Sequence, residues 1–133
     1  DEAFLELLHN ESKYYVTHAA PTPEDAIRQI NQAGGVAVIA HPFASRRGEV
    51  ISAATFTHLV SAGLHGIEVN HRDHSQAERE QLAQIADQLG LVKTGSSDYH
   101  GNGKLNELGE NLTDPEQWAR LESLASARRV VTK

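Results

Sequence analysis

The stretch "GIEVNHRDHSQAEREQLAQIADQLGLVKTGSSDYHG", residues 66–101, decides how this chain is read. A short apolar run, "GIEV", leads into a polar cluster; Ser75 then precedes a 14-residue amphipathic segment, which stops at Gly90 before a second short run, "LVKTG". Leu82, Ile85, Ala86 and Leu89 recur at helical spacing, and Ser75 is a good helix N-cap. A strand, a helix of this length and another strand make a βαβ unit, which pairs its strands in parallel. Both runs end in chemistry: Asn70-His71-Arg72-Asp73-His74 after the first, and Ser96-Ser97-Asp98-Tyr99-His100 after the second.

Working outward, the pattern repeats. Thr22 offers an N-cap and Pro23 suits a first helical turn. Ala26, Ile27, Ile30 and Ala33 keep the helical period until Gly34-Gly35. "VAVIA" (36–40) follows as a continuous apolar run, which predicts a strand buried on both faces and ending at His41-Pro42. Residues 53–62 predict a helix ended by Gly63, and Asp114-Pro115 predicts another through about Ala127. An apolar stripe at Phe4, Leu5 and Leu8 predicts a short helix over 1–9, and "RRVVTK" (128–133) reads as a final strand or a tail. The whole is α/β, with short, mainly parallel strands and flanking helices.

Composition narrows the function. The chain has 133 residues, enough for one core, with no cysteine, no methionine and a net charge of −6. Zero cysteines exclude disulfides, thiolate metal sites and cysteine nucleophiles. The acidic balance argues against a broad nucleic-acid surface but not against a small phosphorylated substrate. No segment approaches the ~20 apolar residues of a membrane span and no signal peptide is visible, so a cytoplasmic protein without membrane contact is expected. The absence of an initiator methionine suggests a piece of a longer chain.

Four of the eight histidines, His9, His18, His58 and His65, lie in contexts that suit surface or structural roles. The others sit at strand ends, where α/β folds build their sites. Pro42 biases His41 toward an extended backbone. In an extended segment Asp98 and His100 would face one side, and oxygen with imidazole nitrogen suits Zn, Mn or Fe. His41, Asp98 and His100 are thus expected to converge, with ligand atoms roughly 4–6 Å apart, as ~2 Å ligand distances demand. Glu68, a carboxylate inside "GIEV", either backs that site or lies on a wet face. His74 falls near a helix N-terminus, a ready anion site, and so is a candidate phosphate donor. Arg46 or Arg47 could hold a phosphate in bidentate fashion. His71 reads more readily as loop polarity. Ser96 and Ser97 read as turn residues, since no base pairs with them.

Taken together, "GGVAVIAHP", "GIEV…HS" and "GSSDYHG" resemble the C-terminal half of a PHP (polymerase and histidinol phosphatase) domain. The likeness is closest to bacterial PHP-domain phosphoesterases acting on nucleotides and short oligonucleotides, and it runs through about residues 22–112. It implies part of a distorted β/α barrel, with residues 1–20 as the tail of a helical insertion and 21–133 as the C-terminal portion of the domain. It implies His41, Asp98 and His100 as ligands in a site of two or three divalent metals (Mn, Zn or Fe). His74 and one of Arg46 and Arg47 would contact substrate phosphate. In the intact protein the implied activity is metal-dependent hydrolysis of phosphate esters, phosphatase or exonuclease in type, by metal-activated water. The H-x-H motif of that family occurs nowhere in these 133 residues, so this chain alone is expected to be inactive. The rival readings are an amidohydrolase-like metallohydrolase and a noncatalytic oligomerisation or docking module. Three strands without a full barrel predict self-association, unless the helices at 1–9 and 114–127 fold back over the open side.

Overall fold

The computed structural model describes residues 3, 6–7, 9, 11–17, 19–45 and 48–126. Seven elements follow in order: α1 (Pro23–Gln32), β1 (Val38–Ile39), α2 (Ala53–Ser61), β2 (Gly66–Asn70), α3 (Gln76–Leu89), β3 (Val92–Gly95) and α4 (Pro115–Leu124). The strands form one parallel sheet in the order β1-β2-β3. The helix expected over 1–9 and the segment 128–133 fall largely or wholly outside the described residues.

Each helix starts where a side chain takes up its free N–H groups. Thr22 accepts from the Asp25 N–H and Ser52 from the Thr55 N–H. Asp114 accepts from the Glu116 N–H and, as in α1, a proline occupies the first turn. These caps explain why the helix starts are readable from sequence. α3 ends at Gly90 with φ 67°, a left-handed residue that suits glycine.

β2 is the central strand, and Gly66, Ile67, Glu68 and Val69 are all buried. Ile67 packs with Phe56, Leu59, Leu82 and Ile85 from the flanking helices and with Leu91 just before β3. Full burial of each large apolar side chain contributes about 1.5–3 kcal/mol. A side chain on Gly66 would crowd the Val92 carbonyl and Val38, and one on Gly95 would collide with the Asn111 carbonyl oxygen. Glycine at these positions lets neighbouring backbone come close.

β1 departs from expectation. Only Val38 and Ile39 pair, and both are half-buried rather than buried on two faces, because β1 is an edge of this sheet. The other edge is covered. The Lys93 N–H donates to Gln117 Oε1 and the Gly95 N–H to Thr113 Oγ1, while Arg120 reaches the Gly90 carbonyl at 2.6 Å. α4 therefore folds back over β3 and supplies the hydrogen bonds a further strand would make. It stops at Leu124, short of the expected Ala127, where Ala125 turns extended and the Ser126 N–H bonds the Gly34 carbonyl.

Candidate functional site

The three strands present their carboxyl ends side by side, and Glu68 joins them. Its Oε2 accepts the His41 N–H just beyond β1, and its Oε1 accepts the Ser96 hydroxyl just beyond β3, both at 2.6 Å. The residue is 6 % exposed. Of the two placements open from the sequence, Glu68 takes the one that faces the strand ends. Burying a carboxylate is tolerated there because both oxygens are satisfied.

His41 is not extended. Its φ is 33°, and Asp98 also has a positive φ, 50°. Outside glycine such backbone is costly and persists only where surrounding contacts impose it. For His41 those contacts are the Glu68 carboxylate on its N–H and the turn bond from the Ala44 N–H to its carbonyl, which together override the bias of Pro42. Asp98 is fixed through its own carbonyl, which accepts Asn106 Nδ2 at 3.2 Å; the same amide donates to the Ser97 carbonyl. Asn106 is buried and is held in turn by Arg72 Nη1 at 2.7 Å.

His41, Asp98 and His100, which the sequence expects to converge, are linked in a row of contacts through His71. The His41 ring lies 5.2 Å from the ring of His71, whose Nε2 is 3.7 Å from Asp98 Oδ2; Asp98 Oδ1 is 3.7 Å from His100 Nδ1. His100 is half-exposed and its Nδ1 engages the Asp98 carbonyl at 2.6 Å, so the pair does not form the simple extended i, i+2 arrangement. Among the described residues no group of three or more His, Asp or Glu side chains stands ready to hold one metal ion. The donor chemistry suits a divalent metal, but the described residues do not by themselves complete a site for one.

His71 belongs in the centre of this row, which sequence reasoning missed by assigning it to loop polarity. It is fully buried and its Nδ1 accepts the Asp73 N–H. In the neutral ring this leaves the proton on Nε2, the atom nearer Asp98. Arg79 Nη2 donates to the His71 carbonyl and Arg79 Nε to that of His74, pinning the turn from α3. The available signal was position: His71 directly follows a strand whose last residues are buried.

His74 lies just before α3, where the sequence places it. It is 3 % exposed, its Nδ1 engages the Val69 carbonyl at 2.9 Å and its Nε2 accepts the Phe43 N–H at 3.3 Å. In this structure both ring nitrogens face backbone groups. At the neighbouring start of α3, Ser75 and Glu78 form a reciprocal capping box, in which the Glu78 carboxylate takes the Ser75 N–H and the Ser75 hydroxyl takes the Glu78 N–H. The hydrogen bond from the Ser75 N–H, then that with the Ser75 hydroxyl, holds the Glu78 carboxyl below the usual carboxylate range. Arg46 and Arg47 lie outside the described residues.

A short parallel sheet whose polar residues gather at its carboxyl ends is the arrangement of an α/β barrel enzyme, and known proteins bear this out. No protein-family model matches the chain. A candidate metal-dependent phosphoesterase from Bifidobacterium adolescentis superposes with a TM-score of 0.83 at 36 % identity, covering 94 % of this chain and 44 % of its own. An amidohydrolase from Chromobacterium violaceum with bound sulfate gives 0.64 at 30 % identity, over 92 % and 44 %. In sequence, a phosphoribosyl 1,2-cyclic phosphate 1,2-diphosphodiesterase from Eggerthella lenta is 42 % identical over 86 residues, 64 % of this chain and 31 % of that protein. A 3',5'-nucleoside bisphosphate phosphatase from Chromobacterium violaceum is 38 % identical over 90 residues, 68 % and 32 %.

The resemblance to PHP-type phosphoesterases therefore holds in sequence and in fold. The chain spans about a third of the length of these curated relatives, and its three-stranded sheet corresponds to part of a barrel. Among the described residues no helix is long and apolar enough to cross a membrane.

Proposed function

We infer that this chain is part of a metal-dependent phosphoesterase of the PHP type, hydrolysing phosphate esters of nucleotides or short oligonucleotides. The observation that carries the reading is Glu68. One buried carboxylate ties the ends of β1 and β3 to β2 and holds the His41 backbone in a left-handed conformation. Strain maintained at strand ends, in a chain similar to phosphoesterases, marks a site rather than a packing accident. The superposition on a candidate metal-dependent phosphoesterase supports divalent metal use, with Mn, Zn or Fe as the candidates.

In this reading His41, Asp98 and His100 contribute ligands, His71 backs Asp98, and Arg46 or Arg47 meets the substrate phosphate. These side chains do not complete a metal site by themselves, and the chain alone is inactive. Cytoplasmic location and exonuclease-type substrates belong to the same proposal, as does self-association through the β1 edge, which sedimentation at micromolar concentration checks. The amidohydrolase-named neighbour is the weaker match in both identity and superposition.

The test is an amide NMR titration with adenosine 3',5'-bisphosphate in the presence of Mn-mimicking, diamagnetic Zn. Shifts gathered at residues 41–48 and 96–104, lost in Asp98→Asn, are expected. Shifts centred elsewhere, or unchanged in Asp98→Asn, would overturn the reading.

A further inference from the structure

Asn102 precedes Gly103 in the one Asn-Gly pair of the sequence, and both residues are exposed. Other side-chain amides are held in place. Asn106 is buried and its amide donates to the Ser97 and Asp98 carbonyls, while Asn31 lies in α1 and donates to the Gly63 carbonyl. Among the described residues no such bond holds the Asn102 amide. The backbone of its turn is lightly tied, by a bridge between His100 and Asn102 and a long 3.5 Å bond from the Lys104 N–H to the Gly101 carbonyl. Gly101, with φ 63°, and Gly103 flank Asn102 and give the turn conformational freedom.

We propose that Asn102 is a site of spontaneous deamidation through its peptide bond with Gly103. The Gly103 nitrogen attacks Asn102 Cγ: an N–Cγ bond forms, the Cγ–Nδ2 bond breaks, and the displaced proton leaves with the ammonia. The cyclic imide then takes up one water. Opening at Cγ gives aspartate, and opening at the residue's main-chain carbonyl gives isoaspartate, which places one more carbon in the backbone. Glycine favours the attack because it has no Cβ to crowd the approach of its nitrogen. Either product puts a carboxylate between His100 and Lys104, whose ammonium donates to Asp98 Oδ2 at 2.7 Å. The conversion therefore changes the charge of the loop that presents Asp98 and His100.

The test is peptide mapping by mass spectrometry after ageing the purified chain in warm, mildly alkaline buffer, both folded and in urea. In the folded chain Asn102 should convert, mainly to isoaspartate, while Asn31 and Asn106 stay intact. Gly103→Ala should slow the conversion at least about tenfold, because its Cβ crowds the attacking nitrogen. That Cβ would meet only the His100 carbonyl oxygen at 3.6 Å, an ordinary contact, so the variant keeps the fold. An intact Asn102 in the folded chain, whether or not the chain in urea converts, would overturn the proposal. Equal rates in wild type and Gly103→Ala, or conversion of Asn106 ahead of Asn102, would do the same.

Discussion

The carboxyl ends of the strands and the start of α3 use similar residues to opposite ends. At the strand ends, His41 and Asp98 sit in left-handed backbone held by Glu68 and Asn106, each with its side chain near the His71 ring. At the start of α3, His74, Ser75 and Glu78 occupy ordinary conformations and spend their polar atoms on nearby backbone. Strain with partly exposed polar groups marks the first region as a site, and unstrained satisfaction marks the second as architecture. A histidine in a polar loop is uninformative until its hydrogen-bond partners are known.

The largest effect expected is at Glu68. Glu68→Leu leaves the His41 N–H and the Ser96 hydroxyl without their acceptor, a loss of about 3–6 kcal/mol when each charge-assisted bond is worth 1.5–3. Urea denaturation measures it. A loss no larger than that of an exposed control would mean that the three strand ends are not joined as described. Next is His74→Ala, which strips the Val69 carbonyl and the Phe43 N–H of their partner. A destabilisation of about 2 kcal/mol is expected, with metal affinity unchanged in the folded variant. Lost affinity with intact stability would erase the contrast between the two regions.

Replacing His41 sharpens it. Both His41→Gly and His41→Ala remove the ring, but only glycine adopts φ 33° freely. The glycine variant should be more stable than the alanine variant by about 1 kcal/mol. Equal stabilities would deny that the site stores backbone strain.

The smallest effect concerns acid. A carboxyl held low in the folded chain contributes stability above its unfolded pKa and loses it as pH falls through the folded one. Glu78 is such a group. Thermal melts of wild type and Glu78→Gln should differ at pH 7 and converge as the pH drops below the usual carboxylate range. A gap that persists in acid would assign the difference to something other than the Glu78 charge.

Much of the fold was legible because it is local. Thr22, Ser52, Ser75 and Asp114 all cap the helices that follow them, and the apolar runs of β2 and β3 pair as expected. β1 was over-read, since an apolar run does not reveal whether a neighbour exists on its far side. How the candidate residues are held was not legible. The conformation of His41 depends on Glu68, 27 residues away, and the fate of His74 on Phe43, 31 residues away. Neither partnership leaves a trace in spacing.

The most direct test of the division between site and architecture is where a paramagnetic ion settles. Substoichiometric Mn(II) broadens the amide NMR signals nearest to it. The signals of His41, Asp98 and His100 should disappear first, with those of Ser75–Glu78 at the start of α3 less affected. Broadening centred on Ser75 and Glu78, with Asp98 and His41 spared, would contradict the account.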